Sequence, residues 1–97
     1  PTVVAEGERL SVHPTGNPAL ATGGTGDVLS GAIAALLAAG LSPFDAARLG
    51  VFLHGLAGDL LAEEKEVGLL AREVAEALPR ARRLLQEGRV PPAFFPR

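Results

Sequence analysis

Apolar and polar positions along the chain change period several times, and each change marks an element. Thr2-Val3-Val4-Ala5-Glu6 and Arg9-Leu10-Ser11-Val12-His13 are short β-prone runs on either side of Gly7-Glu8. That spacing predicts an antiparallel hairpin with a tight two-residue turn, near a sheet edge. Pro14-Thr15-Gly16-Asn17-Pro18 is a dense turn signal. From Asp27 to Ala39 the residues are apolar almost all round, with Ser30, Gly31, Ala32, Ala34 and Ala35 interleaved among Val28, Leu29, Ile33, Leu36 and Leu37. A helix of that kind is expected to be buried on most sides.

Gly40 is a natural stop for this helix, Ser42 a natural N-cap, and Pro43 a natural first residue of a second helix running to about Glu64. Along that second helix Gly50, His54, Gly58 and Leu61 or Ala62 recur at helical spacing, a stripe whose small members let another backbone approach. Val67-Gly68 breaks the pattern. Leu69 to Leu78 resumes it with Leu70, Val74, Ala77 and Leu78 on one face, and Pro79 is expected to end or kink this third helix. Arg80 to Glu87 continues with Leu84 and Leu85 inward and Arg80, Arg82 and Arg83 on a solvated face. The tail from Val90 to Arg97 holds Pro91, Pro92, Phe94, Phe95 and Pro96. It reads as extended, and its adjacent phenylalanines suggest docking onto another surface such as a subunit. No internal repeat is present.

Ninety-seven residues, 47% of them hydrophobic, allow one domain with a modest core; a chain of this length buries roughly 60–65% of its unfolded surface. A net charge of −2 with both signs interspersed gives no basic face for nucleic acid. Cysteine is absent, which removes disulfides, thiol nucleophiles and thiolate metal sites. Two histidines are too few for a histidine-rich metal cluster. The opening residues carry no signal-peptide pattern. The longest apolar run, Val28 to Leu41, is shorter than the ~20 residues that span a bilayer. These features read as a soluble, cytoplasmic protein without membrane or nucleic-acid partners.

The chemistry concentrates in Ala21-Thr22-Gly23-Gly24-Thr25-Gly26-Asp27. Glycines here suit a turn that aims several N–H groups at one point and lets a ligand come close to the main chain. The turn opens a helix, whose first amides are unpaired and whose dipole favours an anion, so a phosphate is the natural guest. Asp27, in the first turn, is either an ordinary helix-start acid, worth roughly 0.3–1 kcal/mol, or a base beside an anion hole. The loop does not follow the dinucleotide pattern, which would need glycine at Leu29, nor the Walker pattern, since no lysine follows the glycines. The single lysine of the chain is Lys65. Asn17 can hold the loop by side-chain to backbone hydrogen bonds or touch the ligand directly. His13 reads as a strand-end polar residue. His54 is open between a core histidine satisfied by a carbonyl or water and a role near the ligand of the loop, and Asp59 reads as a helix-packing or capping partner.

Asn17-Pro18-x-x-Ala21-Thr22-Gly23-Gly24-Thr25-Gly26-Asp27-Val28-Leu29-Ser30-Gly31, followed by Ala32 to Gly40, resembles the signature of the nucleotide-dependent NAD(P)H-hydrate dehydratases of the ribokinase-like superfamily. Leu53-His54-Gly55-Leu56-Ala57-Gly58-Asp59 resembles a second segment of that family. The resemblance runs from Thr2 to about Leu78; Ala19 and Leu20 stand where the family has Gly and Met. It implies an α/β, ribokinase-like fold, a mainly parallel sheet flanked by helices, of which residues 1–97 would be the C-terminal portion of a single, longer domain. It implies ADP- or ATP-driven dehydration of hydrated NADH or NADPH, with magnesium accompanying the nucleotide. It implies Gly23, Gly24, Thr25 and Gly26 as nucleotide-binding residues, Asp27 as the catalytic residue, Asp27 and Asn17 toward the substrate, and a homo-oligomer, often a tetramer. A small-molecule kinase of the same superfamily and a non-catalytic assembly module are the alternatives.

Overall fold

The computed structural model describes residues 2–16, 24–64 and 71–96. The hairpin forms as the alternation predicts. Strands β1 (Thr2–Glu6) and β2 (Arg9–His13) pair antiparallel with Glu6 opposite Arg9 and Thr2 opposite His13. Gly7 takes φ 58° at the first central position, where this class of tight turn calls for glycine. The pairing puts Val4, Ser11 and His13 on the face that packs against helix, all three buried, while Val3 and Leu10 on the other face are 56% and 62% exposed. The hairpin therefore buries two polar side chains beside Val4 and leaves the aliphatic Val3 and Leu10 facing outward.

Three helices follow: α1 (Thr25–Ala38), α2 (Pro43–Glu64) and α3 (Ala71–Gln86). The punctuation residues act as expected. Gly40 adopts φ 102°, the Leu41 amide donates to the Leu36 carbonyl and the Gly40 amide to Leu37, a paired closure of the helix end that needs a left-handed residue. Gly88 ends α3 in the same way, with Arg89 bonded to the Leu84 carbonyl. Ser42 caps α2 by accepting the Asp45 amide at 3.3 Å.

Helix α2 is the axis of the molecule, with every residue from Gly50 to Gly58 buried. Phe52, Leu53, Leu56, Ala57 and Leu61 join Val74, Ala77 and Ala81 of α3 and Val90 in one core cluster. Val4, Phe44 and Val51 form a second cluster under the hairpin. Phe44 also carries two guanidinium groups, Arg9 at 4.4 Å and Arg48 at 5.3 Å from its ring centre.

Two glycines of α2 set how closely its neighbours approach. A Cβ on Gly50 would lie 2.6 Å from Cγ1 of Ile33 in α1, and a Cβ on Gly55 would lie 2.3–2.8 Å from Thr15, its backbone carbon included. An isoleucine side chain can rotate away; a backbone cannot. Gly55→Ala is accordingly expected to destabilise by about 1–3 kcal/mol and Gly50→Ala by less. Thermal melts of the two variants check that order.

Three expectations are corrected. Helix α1 is not buried on most sides: Thr25 alone is fully buried, and Gly31, Ala34, Ala35, Leu37 and Ala38 are exposed. Its contacts run along one side, to α2 and α3, and among the described residues no element lies on the other. Of the two outcomes expected at Pro79, an end to the helix is not found, since α3 continues to Gln86. Pro79 and Ala75 are both exposed, so water can bond the Ala75 carbonyl that proline leaves without a donor. The tail is not wholly extended: Pro92–Phe94 form one 3₁₀ turn, and Phe95 stacks on Phe52 of the same chain with ring centres 5.3 Å apart. Part of the apolar surface of that tail is covered within the chain, where Val90 is buried and Phe94 packs on the core, while Phe95 stays 41% exposed. The mainly parallel sheet lies outside what these residues form. They make an α/β arrangement of three helices and one two-stranded sheet. The break at Val67-Gly68, together with Leu69 and Leu70, lies outside the described residues.

Candidate functional site

The chemistry-bearing stretch meets the described structure where α1 begins. Gly24 precedes the helix at φ 91°, ψ −13°, a left-handed conformation that disfavours any residue with a Cβ, and offers no side-chain cap. Its carbonyl accepts the amides of both Asp27 and Val28 at 3.2 Å. No helical carbonyl precedes the amides of Thr25 and Gly26, so they point out of the first turn. Gly24, Gly26 and Asp27 are exposed and Thr25 is buried. A Cβ built on Gly26 has nothing within 4 Å. Among the described residues the first turn of α1 is therefore uncovered at Gly26, with an exposed acid beside it. Asn17 and Gly23, the other two residues singled out in the sequence, lie outside the described residues.

His54 holds this turn from below. Its Nε2 lies 3.0 Å from the Thr25 carbonyl oxygen; an oxygen of that kind only accepts, so Nε2 carries the hydrogen and donates it. Of the two readings left open for His54, satisfaction by a carbonyl is the one found, and the carbonyl belongs to the candidate site. Asp59 is more specific than a generic packing partner: its Oδ2 accepts the Gly16 amide at 3.0 Å. The sequence reading overlooked Gly55 and Thr15 as a contact. The signal available was a second glycine in α2, one residue beyond the periodic stripe.

Among the described residues no group of three or more His, Asp or Glu is placed to hold a metal ion. Clefts elsewhere on the molecule, one lined by Leu41, Leu49, Phe52 and Phe95 and another by Leu36, Leu53, Leu78 and Arg82, do not include the first turn of α1.

Both histidines are held toward their neutral form. Burial is the main cause for His54, with the hydrogen bond to Thr25 acting in the opposite sense; burial is again the main cause for His13, with the Arg48 charge adding to it. His13 is fully buried, its Nε2 is 2.9 Å from the Ser11 hydroxyl, and its Nδ1 has no partner. Because both pKa values drop on folding from the ordinary 6.5, the unfolded chain binds more protons below that pH. The stabilisation is complete above about 6.5 and is lost as the pH falls toward the folded-state values. Melting temperature should thus decline on acidification from about pH 6.5, before carboxylates near 4 titrate; a flat or rising profile in that interval contradicts this account.

A hairpin leading to a glycine turn that opens a helix, with a buried histidine and aspartate bracketing it, agrees with what the chain is similar to. Residues 1–80 match the NAD(P)H-hydrate dehydratase family, and the chain belongs to that family. It is 50% identical over 88 residues to the bifunctional NAD(P)H-hydrate repair enzyme Nnr of Thermofilum pendens, covering 89% of this chain and 17% of that protein. The Nnr enzyme of Hyperthermus butylicus is 47% identical over 79 residues, covering 81% and 15%. That of Coxiella burnetii is 51% identical over 70 residues, covering 71% and 14%. The chain thus spans about a sixth of the length of the curated relatives it matches.

Proposed function

We propose that the protein containing this segment removes water from hydrated NADH or NADPH at the expense of ADP or ATP, and that residues 1–97 are the C-terminal portion of its single ribokinase-like domain. The observation that carries the reading is the first turn of α1: Gly24 left-handed, Gly26 open to approach, and Asp27 exposed directly after them. Membership of the dehydratase family across residues 1–80 supports it.

In the reaction, the ring hydroxyl of the hydrate attacks the terminal phosphorus of the nucleotide and a phosphoanhydride bond breaks. Phosphate then leaves the ring carbon with the C–O electron pair, a neighbouring carbon loses a proton, and the reduced nicotinamide is restored. The loop amides from Gly23 to Gly26 hold the charge of the transferred phosphoryl group. Such preorganised donors are typically worth ~10²–10³ in rate each. Asp27 orients the attacking hydroxyl and takes its proton, an effect of ~10²–10⁴. Asn17 contributes a further contact to the substrate. Magnesium would travel with the nucleotide; with Asp27 the one acid among the described residues at this turn, its ligands would be mainly phosphate oxygens and water.

A kinase that stops after phosphoryl transfer would use the same turn, and a binding module would use it without turnover. Incubating the intact protein with the hydrate and either nucleotide distinguishes the three. Return of NADH absorbance with release of inorganic phosphate is the expected result. A stable phosphorylated product indicates the kinase, and nucleotide binding without either indicates the module. A cytoplasmic, homo-oligomeric enzyme belongs to the same proposal; among the described residues no helix is long and apolar enough to cross a membrane.

A further inference from the structure

Two neighbouring rows of α2 touch the two places where the chain enters and leaves residues 17–23. Gly50 and His54, one turn apart and so on one face, meet α1 at Ile33 and at the Thr25 carbonyl. Gly55 and Asp59, again one turn apart, meet the consecutive residues Thr15 and Gly16. His54 and Asp59 are separated by roughly 7.5 Å along the helix axis. They bond main-chain groups that lie before and after the glycine-rich stretch.

We propose that α2 is a splint for the first turn of α1, with His54 as a positioning residue on its Thr25 carbonyl and Asp59 as a second one on the Gly16 amide that precedes it in the chain. This rests on the function proposed above. Amides that stabilise a phosphoryl group are effective only when they are already aimed, without reorganisation during reaction, and displacement by about 1 Å can cost ~10²-fold. The part of α2 that carries the pins runs through the core, where Leu56 and Ala57 are 1% and 0% exposed. A buried imidazole is not what packing asks for at position 54. His54 sits between Leu53 and the core residue Leu56, where an aliphatic side chain would lose no polar group to burial. What histidine adds is an N–H that reaches the Thr25 carbonyl.

The test uses the intact protein, with His54→Leu, His54→Gln and Asp59→Ala compared by steady-state kinetics and thermal melting. Leucine removes the donor and keeps the apolar volume; glutamine carries an amide N–H of similar reach. His54→Leu should raise the KM for nucleotide about 10-fold, the equivalent of one hydrogen bond, while the KM for the hydrate stays near that of the wild type. His54→Gln should remain within about 3-fold on both. A merely structural role has a different signature: partial unfolding lowers the active fraction, hence kcat, and leaves both KM values in place. Should His54→Leu fail to fold, Asp59→Ala is expected to show the same selective rise. A wild-type nucleotide KM in His54→Leu or in Asp59→Ala, or equal impairment by leucine and glutamine, overturns the proposal. If Asp27→Asn is also without effect, the functional reading itself fails; if Asp27→Asn is impaired and the α2 variants are not, the splint alone fails.

Discussion

Asp27→Asn should lower the rate of nucleotide-driven recovery of NADH from its hydrate by ~10²-fold or more, with nucleotide affinity largely kept. Asp27 is the only acid between Glu8 and Asp45, it occupies the first turn of α1, and it is exposed. Were it a helix-start acid and nothing else, its loss would cost at most about 1 kcal/mol of stability and leave turnover nearly intact. Asparagine preserves its shape and much of its hydrogen bonding but cannot accept a proton from an attacking hydroxyl. The two roles therefore give different kinetics with little change in the fold. Recovery of NADH within a few-fold of wild type would leave Asp27 as a helix-start acid and favour the binding module.

The second large effect is expected at Gly26. A side chain there has open space and no positive φ to oppose it, so Gly26→Val should fold at least as well as the wild type, since glycine within a helix carries an entropic cost of roughly 0.5–1 kcal/mol. The isopropyl group would occupy the approach to the first-turn amides. Hydrogen bonds to a charged group contribute about 1.5–3 kcal/mol each, so the Kd for nucleotide should rise by at least ~10-fold for each bond lost. Calorimetric titration alongside a melt checks both halves. Nucleotide binding of wild-type strength in Gly26→Val would end the anion-hole reading. Gly24→Val is a poorer probe than the sequence alone suggests: at φ 91° valine is strained, and lost binding could not be separated from a distorted helix start.

Local rules made much of the secondary structure legible. The hairpin register follows from two strands and a two-residue turn, and the start of α2 follows from Ser42 and Pro43, because each depends on a few adjacent residues. The depth of burial of α1 was not legible. Its composition states only that many faces can be buried, whereas the contacts that cover a face come from elsewhere. Whether Pro79 would end the helix was not legible for a related reason: the cost of a proline inside a helix depends on whether water reaches the carbonyl it strands, and exposure is a tertiary property. At the site, Gly24, Gly26 and Asp27 announced themselves by residue type. The hydrogen bonds of His54 to Thr25, 29 residues away, and of Asp59 to Gly16, 43 residues away, had no local signature, since a histidine and an aspartate among apolar neighbours fit several partners.

The outward aliphatic face of the hairpin has a bearing on how the isolated segment would behave as a colloid. With Val3 and Leu10 facing outward, its resistance to self-association falls chiefly to electrostatic repulsion, which vanishes near the sequence pI of about 5.6. Acidification below about 6.5 also favours the unfolded chain, whose two histidines take up protons that burial disfavours in the fold. Both effects act over the same pH interval, so solubility and folding stability should decline together, and turbidity should set in on the acid side of neutrality rather than on the alkaline side.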